Sequence, residues 1–171
     1  YRKQQGAYPV IYITFKDVKF DNWKDSLEAI RLVIRDEYMR HADILSWDGL
    51  DVVEKDYLDR MQKGTLSNVE YTRALLNLSR MLEKYHNKKI VVLIDEYDTP
   101  IQQGHSKGFY NEVITFMRNF MSGGLKDNPA LAFGVLTGIL RVSKENLFSG
   151  LNNLVVNSVL DEKYSEYFGF T

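Results

Sequence analysis

The 171-residue chain contains no cysteine, which excludes a disulfide framework and any thiolate metal site and fits a reducing, cytoplasmic setting. It also lacks a long apolar run: no stretch approaches the roughly 20 residues that span a bilayer. The first residues carry no signal-peptide apolar core, so no membrane partner is expected. An excess of one charge is missing too. With 22 Lys and Arg against 23 Asp and Glu, the formal net charge is −1, and no global field recruits nucleic acid or an anionic surface. A local basic groove is left open. No Gly is followed by Lys anywhere in the chain, so the phosphate-cradling pattern G-x-x-x-x-G-K-[ST] is absent. Residues 104–108 (GHSKG) and 123–126 (GGLK) have the wrong spacing and bridge no strand to a helix. His41, His86 and His105 stand isolated, none at helical metal-site spacing, and neither G-x-S-x-G nor H-E-x-x-H occurs.

What is present reads as one globular domain's worth of chain, residues 1–171, with 44% hydrophobic residues, 11 Tyr and 9 Phe. The aromatics are scattered through expected strands and helices rather than interleaved with Arg and Lys, which favours core packing over base stacking. Residues 8–15 (YPVIYITF) read as a strand with Pro9 confined to its start. Asp21 or Asn22 caps a helix over 23–41, in which Leu27, Ile30, Ile34 and Tyr38 recur at helical spacing. A short helix is expected around 53–62. Ser67 and Glu70 form a capping box that opens a long helix ending near Tyr85. Residues 90–94 form a strand and 99–108 a polar loop. Residues 109–121 form a helix stopped by Gly123-Gly124, and 130–136 form another strand. A short amphipathic segment, 144–148, leads to a last strand over 154–160. Strands alternating with helices make this an α/β fold, a parallel sheet flanked by helices.

The most informative stretch is residues 89–98 (KIVVLIDEYD). Unbroken aliphatic residues without alternation describe a strand buried on both faces, and it delivers Asp95, Glu96 and then Asp98 to its C-terminal end. Parallel sheets gather their ligands there. This is the Walker B arrangement of a P-loop nucleotide hydrolase. Asp95 is then placed to meet a magnesium ion and a triphosphate, and Glu96 to orient an attacking water. The bland alternative for the acidic pair is a solvated loop entrance. Asp98, followed by Thr99 and Pro100, is equally good turn chemistry.

Residues 92–101 (VLIDEYDTPI), 136–143 (LTGILRVS), 147–154 (LFSGLNNL) and 167–171 (YFGFT) resemble the bacterial AAA-ATPase-like family, across most of the chain. The resemblance implies an additional-strand, AAA-like P-loop NTPase core, often followed by a PD-(D/E)XK nuclease-like region, with ATP and Mg²⁺ as cofactors. It assigns magnesium to Asp95 and the general-base or water-orienting role to Glu96, with Asp98 beside the cofactor. Thr137, at the end of the next strand, takes the place of a γ-phosphate sensor, or else satisfies a local backbone group. Arg141 serves as a sensor or arginine finger, or as a surface ion pair. Asn152 and Asn153 fit the family pattern and also fit a turn.

In that family the phosphate-loop strand lies upstream of Tyr1, so the core is expected to be truncated before it, consistent with a start inside a longer sequence. The expected strand order is 8–15, 90–94, 130–136, a vacancy, then 154–160. Either 154–160 closes onto 130–136 or a second chain covers the edge and self-association follows. Three functions compete: part of an ATP-hydrolysing switch or motor, a non-catalytic protein-interaction module on an NTPase scaffold, and a metal-dependent nuclease centred on Asp95, Glu96 and Asp98. The nuclease lacks its usual lysine.

Overall fold

Three strands and six helices alternate in a computed structural model that describes residues 5–139, 147, 154–158 and 161. The elements run β1 (Val10–Thr14), α1 (Trp23–Arg40), a 3-10 turn (Ala42–Ile44), α2 (Val52–Lys63), α3 (Asn68–Thr72), α4 (Ala74–His86), β2 (Ile90–Asp95), α5 (Thr99–Lys107), α6 (Tyr110–Leu125) and β3 (Leu131–Leu136). The strands form one parallel sheet in the order β1-β2-β3, with Ile11 opposite Val92 and Val92 opposite Gly134. The α/β expectation and the order of these three strands therefore hold.

Local chemistry explains the helix boundaries. The Asn22 side chain accepts from the Asp25 N–H and starts α1, and a reciprocal Asp51–Glu54 capping box starts α2. The Ser67–Glu70 box is present as expected, but the helix it opens breaks at Arg73 into α3 and α4. Gly123-Gly124 does not stop α6, which continues to Leu125. A Cβ at Gly124 would lie 2.3 Å from Leu75 Cγ, so the glycine lets α6 press against α4 instead of ending the helix. The polar loop expected at 99–108 is the helix α5. Pro100 sits in its first turn, where its missing N–H costs nothing, and Gly108 closes it at φ +84°. Its buried residues are Thr99, Pro100, Ile101 and Gly104, and with Ile101 as the one large aliphatic side chain α5 carries too little apolar periodicity to be legible as a helix.

Both crossovers advance along the sheet in one direction, and right-handed connections then place all their helices on one face. That face holds the core: Ile11, Ile13, Phe15, Val92 and Ile94 meet Ile30 and Ile34 of α1 and Met117 and Phe120 of α6. The Phe15 and Phe120 rings pack edge to face with centroids 6.4 Å apart. The opposite face is different. Tyr12, Leu93, Phe133 and Val135 share it by register, and Tyr12 (47%), Phe133 (51%) and Val135 (45%) are substantially exposed. Tyr8 reaches over this face, its ring edge-on to Phe133 at 6.0 Å.

The last strand expected over 154–160 is not formed by 154–158, which have no regular structure; 159 and 160 lie outside the described residues. Leu154 instead lines a groove of about 590 Å³ beside β3, together with Leu125, Phe133 and Leu136. Among the described residues no strand pairs with the outer edge of β3, and no helix is long and apolar enough to cross a membrane.

Candidate functional site

The central strand β2 ends at Asp95, and its carboxylate is held from both sides. The Thr14 hydroxyl, at the end of β1, donates to Asp95 Oδ2 at 3.1 Å, and the Thr137 hydroxyl, just past β3, donates to Oδ1. Register sets this row, since Thr14 lies opposite Asp95 and the Thr137 N–H continues the β2–β3 ladder by donating to Ile94 O at 2.9 Å. All three residues stand at the C-terminal rim of the exposed sheet face. Two oriented hydroxyls fix the carboxylate plane, and each threonine oxygen keeps lone pairs for further donors.

Glu96 leaves the strand with φ +50°, a left-handed conformation that a branched-free acid adopts only at a cost of about 1–2 kcal/mol. Such strain gathers at functional sites. Its carboxylate accepts from the Thr99 hydroxyl at 3.1 Å, while its carbonyl accepts from the Thr99 N–H at 3.1 Å, which locks the turn between β2 and α5. The Tyr97 N–H donates to Thr137 O at 3.1 Å and ties that turn to the end of β3.

Asp98 turns the other way. It is only 1% exposed, and Oδ2 accepts from Gln102 Nε2 at 2.6 Å and from the Ile139 N–H at 3.1 Å, joining the start of α5 to the segment that follows β3. Gly138 makes this approach possible, because a Cβ there would lie 2.5 Å from Asp98 Oδ1 and 2.9 Å from Tyr97 Cε1. Gly138→Ala is expected to cost about 1–3 kcal/mol as overpacking, read as a lower urea midpoint. An unchanged midpoint would mean that Asp98 moves aside freely.

Of the residues singled out in the sequence, Asp95 and Thr137 are brought into direct contact, Glu96 flanks them in the turn, and Asp98 faces inward toward α5. Arg141, Asn152 and Asn153 lie outside the described residues. Thr14 and Thr99 join the site from outside the candidates that the sequence offers. The usable signal for Thr14 was a polar residue at the C-terminal end of an expected parallel strand. Among the described residues, no three acidic or histidine side chains group closely enough to hold a metal by themselves.

A three-stranded parallel sheet with acidic residues at the end of its middle strand and helices on one face defines an α/β protein with a strand-end site. The profile of the family described as "Predicted AAA-ATPase" matches residues 1–148, and the chain belongs to this AAA-ATPase-like family. It is also similar to a protein of Azotobacter chroococcum mcd 1, titled "Uncharacterized protein in vnfD 5'region", at 40% identity over 96 residues. That match spans 55% of this chain and 18% of the relative's length. No solved structure matches the chain.

Proposed function

We propose that this chain is the Walker B and sensor portion of an ATP-binding and ATP-hydrolysing module, its phosphate loop contributed by another segment of the protein. The observation that carries the reading is Asp95 at the end of the central parallel strand, with both carboxylate oxygens oriented by hydroxyls from the two flanking strands. Mg²⁺ suits this donor set, since it retains most of its water and takes one or two carboxylates beside phosphate oxygens; when bound it would neutralise phosphate charge. Asp95, whose carboxylate keeps free lone pairs beside the two threonine hydroxyls, would hold the ion. Glu96, set at a left-handed turn beside it, orients the attacking water and accepts its proton. Thr137 couples Asp95 to the segment after β3, the arrangement of a γ-phosphate sensor, and Arg141, four residues further on, would supply the guanidinium. Asp98 acts through position, holding that segment against α5.

Topology supports the same reading. A right-handed crossover over the exposed face has to lead from a strand beside β3 back to β1. A fourth parallel strand against β3, followed by a helix over Tyr12, Leu93, Phe133 and Val135, would cover the open edge and the apolar face together. The C-terminal end of such a strand would emerge beside Thr137 and Asp95, where backbone N–H groups are wanted for phosphate.

Calorimetry with Mg-ATP tests this. Residues 1–171 alone should bind only weakly, because carboxylates repel a triphosphate until cation and lysine balance them; a dissociation constant below about 1 μM would overturn the division of the site. In the whole protein Asp95→Asn should weaken Mg-dependent binding by about tenfold or more, and full retention would remove Asp95 from the cation site.

A further inference from the structure

The two edges of the sheet are treated differently. In β1, Pro9 O accepts from the Val91 N–H and the Phe15 N–H donates to Asp95 O, so the odd-numbered residues face β2 and Val10, Tyr12 and Thr14 turn their backbone groups outward. A parallel strand added there would set one residue opposite Ile11, its N–H donating to Val10 O and its C=O accepting from the Tyr12 N–H. Both bonds are already made by α1. Arg40 Nη2 donates to Val10 O at 2.6 Å, and Glu37 Oε1 accepts from the Tyr12 N–H at 2.8 Å.

The two side chains also bind one another, Arg40 Nε donating to Glu37 Oε2 at 2.8 Å and Nη2 to Oε1 at 2.6 Å, with His41 Nε2 3.1 Å from the same Oε1. Glu37 is only 5% exposed. Burial pushes its acidity down, but the bonds from His41, Arg40 and the Tyr12 N–H outweigh this and hold its pKa below the ordinary carboxylate value. A buried, doubly paired carboxylate of this kind is rigid, unlike a surface ion pair.

We infer that Glu37 and Arg40 together stand in for one residue of a neighbouring strand and close the β1 edge, so that strand addition to this sheet is directed to β3 alone. Edge strands with free N–H and C=O groups pair with other chains unless something blocks them. Here the block copies the hydrogen-bond pattern of the strand it excludes, and it is supplied by the helix that follows β1, so the edge closes as soon as α1 docks.

The chain has no cysteine, so a single Tyr12→Cys substitution reports contacts at this edge and ignores association through β3. In that background Glu37→Ala with Arg40→Ala is expected to raise disulfide-linked dimer by about tenfold or more over the lock-intact protein, the equilibrium worth of one hydrogen bond. Without the cysteine, exchange of the Tyr12 amide should accelerate by a similar factor. Glu37→Gln keeps an acceptor for Tyr12 and should keep the edge closed. Arg40 is half exposed, so Arg40→Ala alone leaves the core intact and serves if loss of Glu37 prevents folding. Unchanged cross-linking and unchanged Tyr12 exchange in a folded Arg40→Ala or double variant would overturn the inference.

Discussion

Glu96→Gln in the whole protein is expected to leave nucleotide and magnesium binding within about threefold of the parent while lowering steady-state ATP turnover by about a hundred- to a thousandfold, the usual worth of a positioned general base. The amide keeps the size of the side chain and can still pair with the Thr99 hydroxyl, whose bond to Glu96 Oε2 is 3.1 Å. It cannot take a proton from water. The left-handed backbone, φ +50°, is unchanged by the substitution, so a loss of turnover without a loss of binding separates chemistry from folding. Equal turnover in parent and variant would take Glu96 out of the mechanism. A parallel fall in binding and turnover would instead assign it to cation or phosphate contact.

The second large effect concerns stability. Phe120→Ala is expected to lower unfolding free energy by about 3–5 kcal/mol, a major fraction of the roughly 5–15 kcal/mol that holds a domain together. Phe120 has no exposed surface and sits where α6 meets the sheet. Its ring stacks on Phe116 at 6.2 Å and 14° and meets Phe15 edge-on at 6.4 Å and 78°. Removing it opens a cavity between two layers whose backbones are fixed by the helix and the ladder, so collapse is limited. Chemical denaturation measures the loss, with Thr115→Ala on the exposed side of the same helix as a near-neutral control. A loss below about 1 kcal/mol would mean that α6 can slide to fill the space.

The aromatic residues show how far composition carries. Reading Tyr and Phe as core was right for Phe15, Phe116, Phe120, Tyr38 and Tyr71, which are buried. It missed Tyr12 and Phe133, which lie on the exposed face. Their strands look the same in sequence as β2, because an apolar residue has the same pattern whether a helix of this chain or another segment is meant to cover it. The helix α5 is illegible for a related reason: six polar side chains around one buried isoleucine and a close-packed glycine leave no stripe to read. At the site, Asp95 and Thr137 were legible because strand ends are marked by an apolar run turning polar. Thr14 carries the same strand-end signal, but nothing local to β1 states that it will stand opposite Asp95.

The sequence by itself determined β1, β2 and β3, most helix starts and the α/β class, all of which depend on spacing and capping within a few residues, whereas the strand expected over 154–160 is not formed by 154–158. It also determined that acidic groups sit at a strand end. Only the tertiary structure decided which residues meet there. Thr14 and Thr137, 123 positions apart in the chain numbering, converge on one carboxylate through parallel register, and α1 places a buried Glu and an Arg on one edge of the sheet, while among the described residues no strand pairs with the other. Both outcomes are set by hydrogen-bond partners distant in the chain, and a pairing across 25 or more positions, such as Tyr12 with Glu37, leaves no periodic trace in either segment.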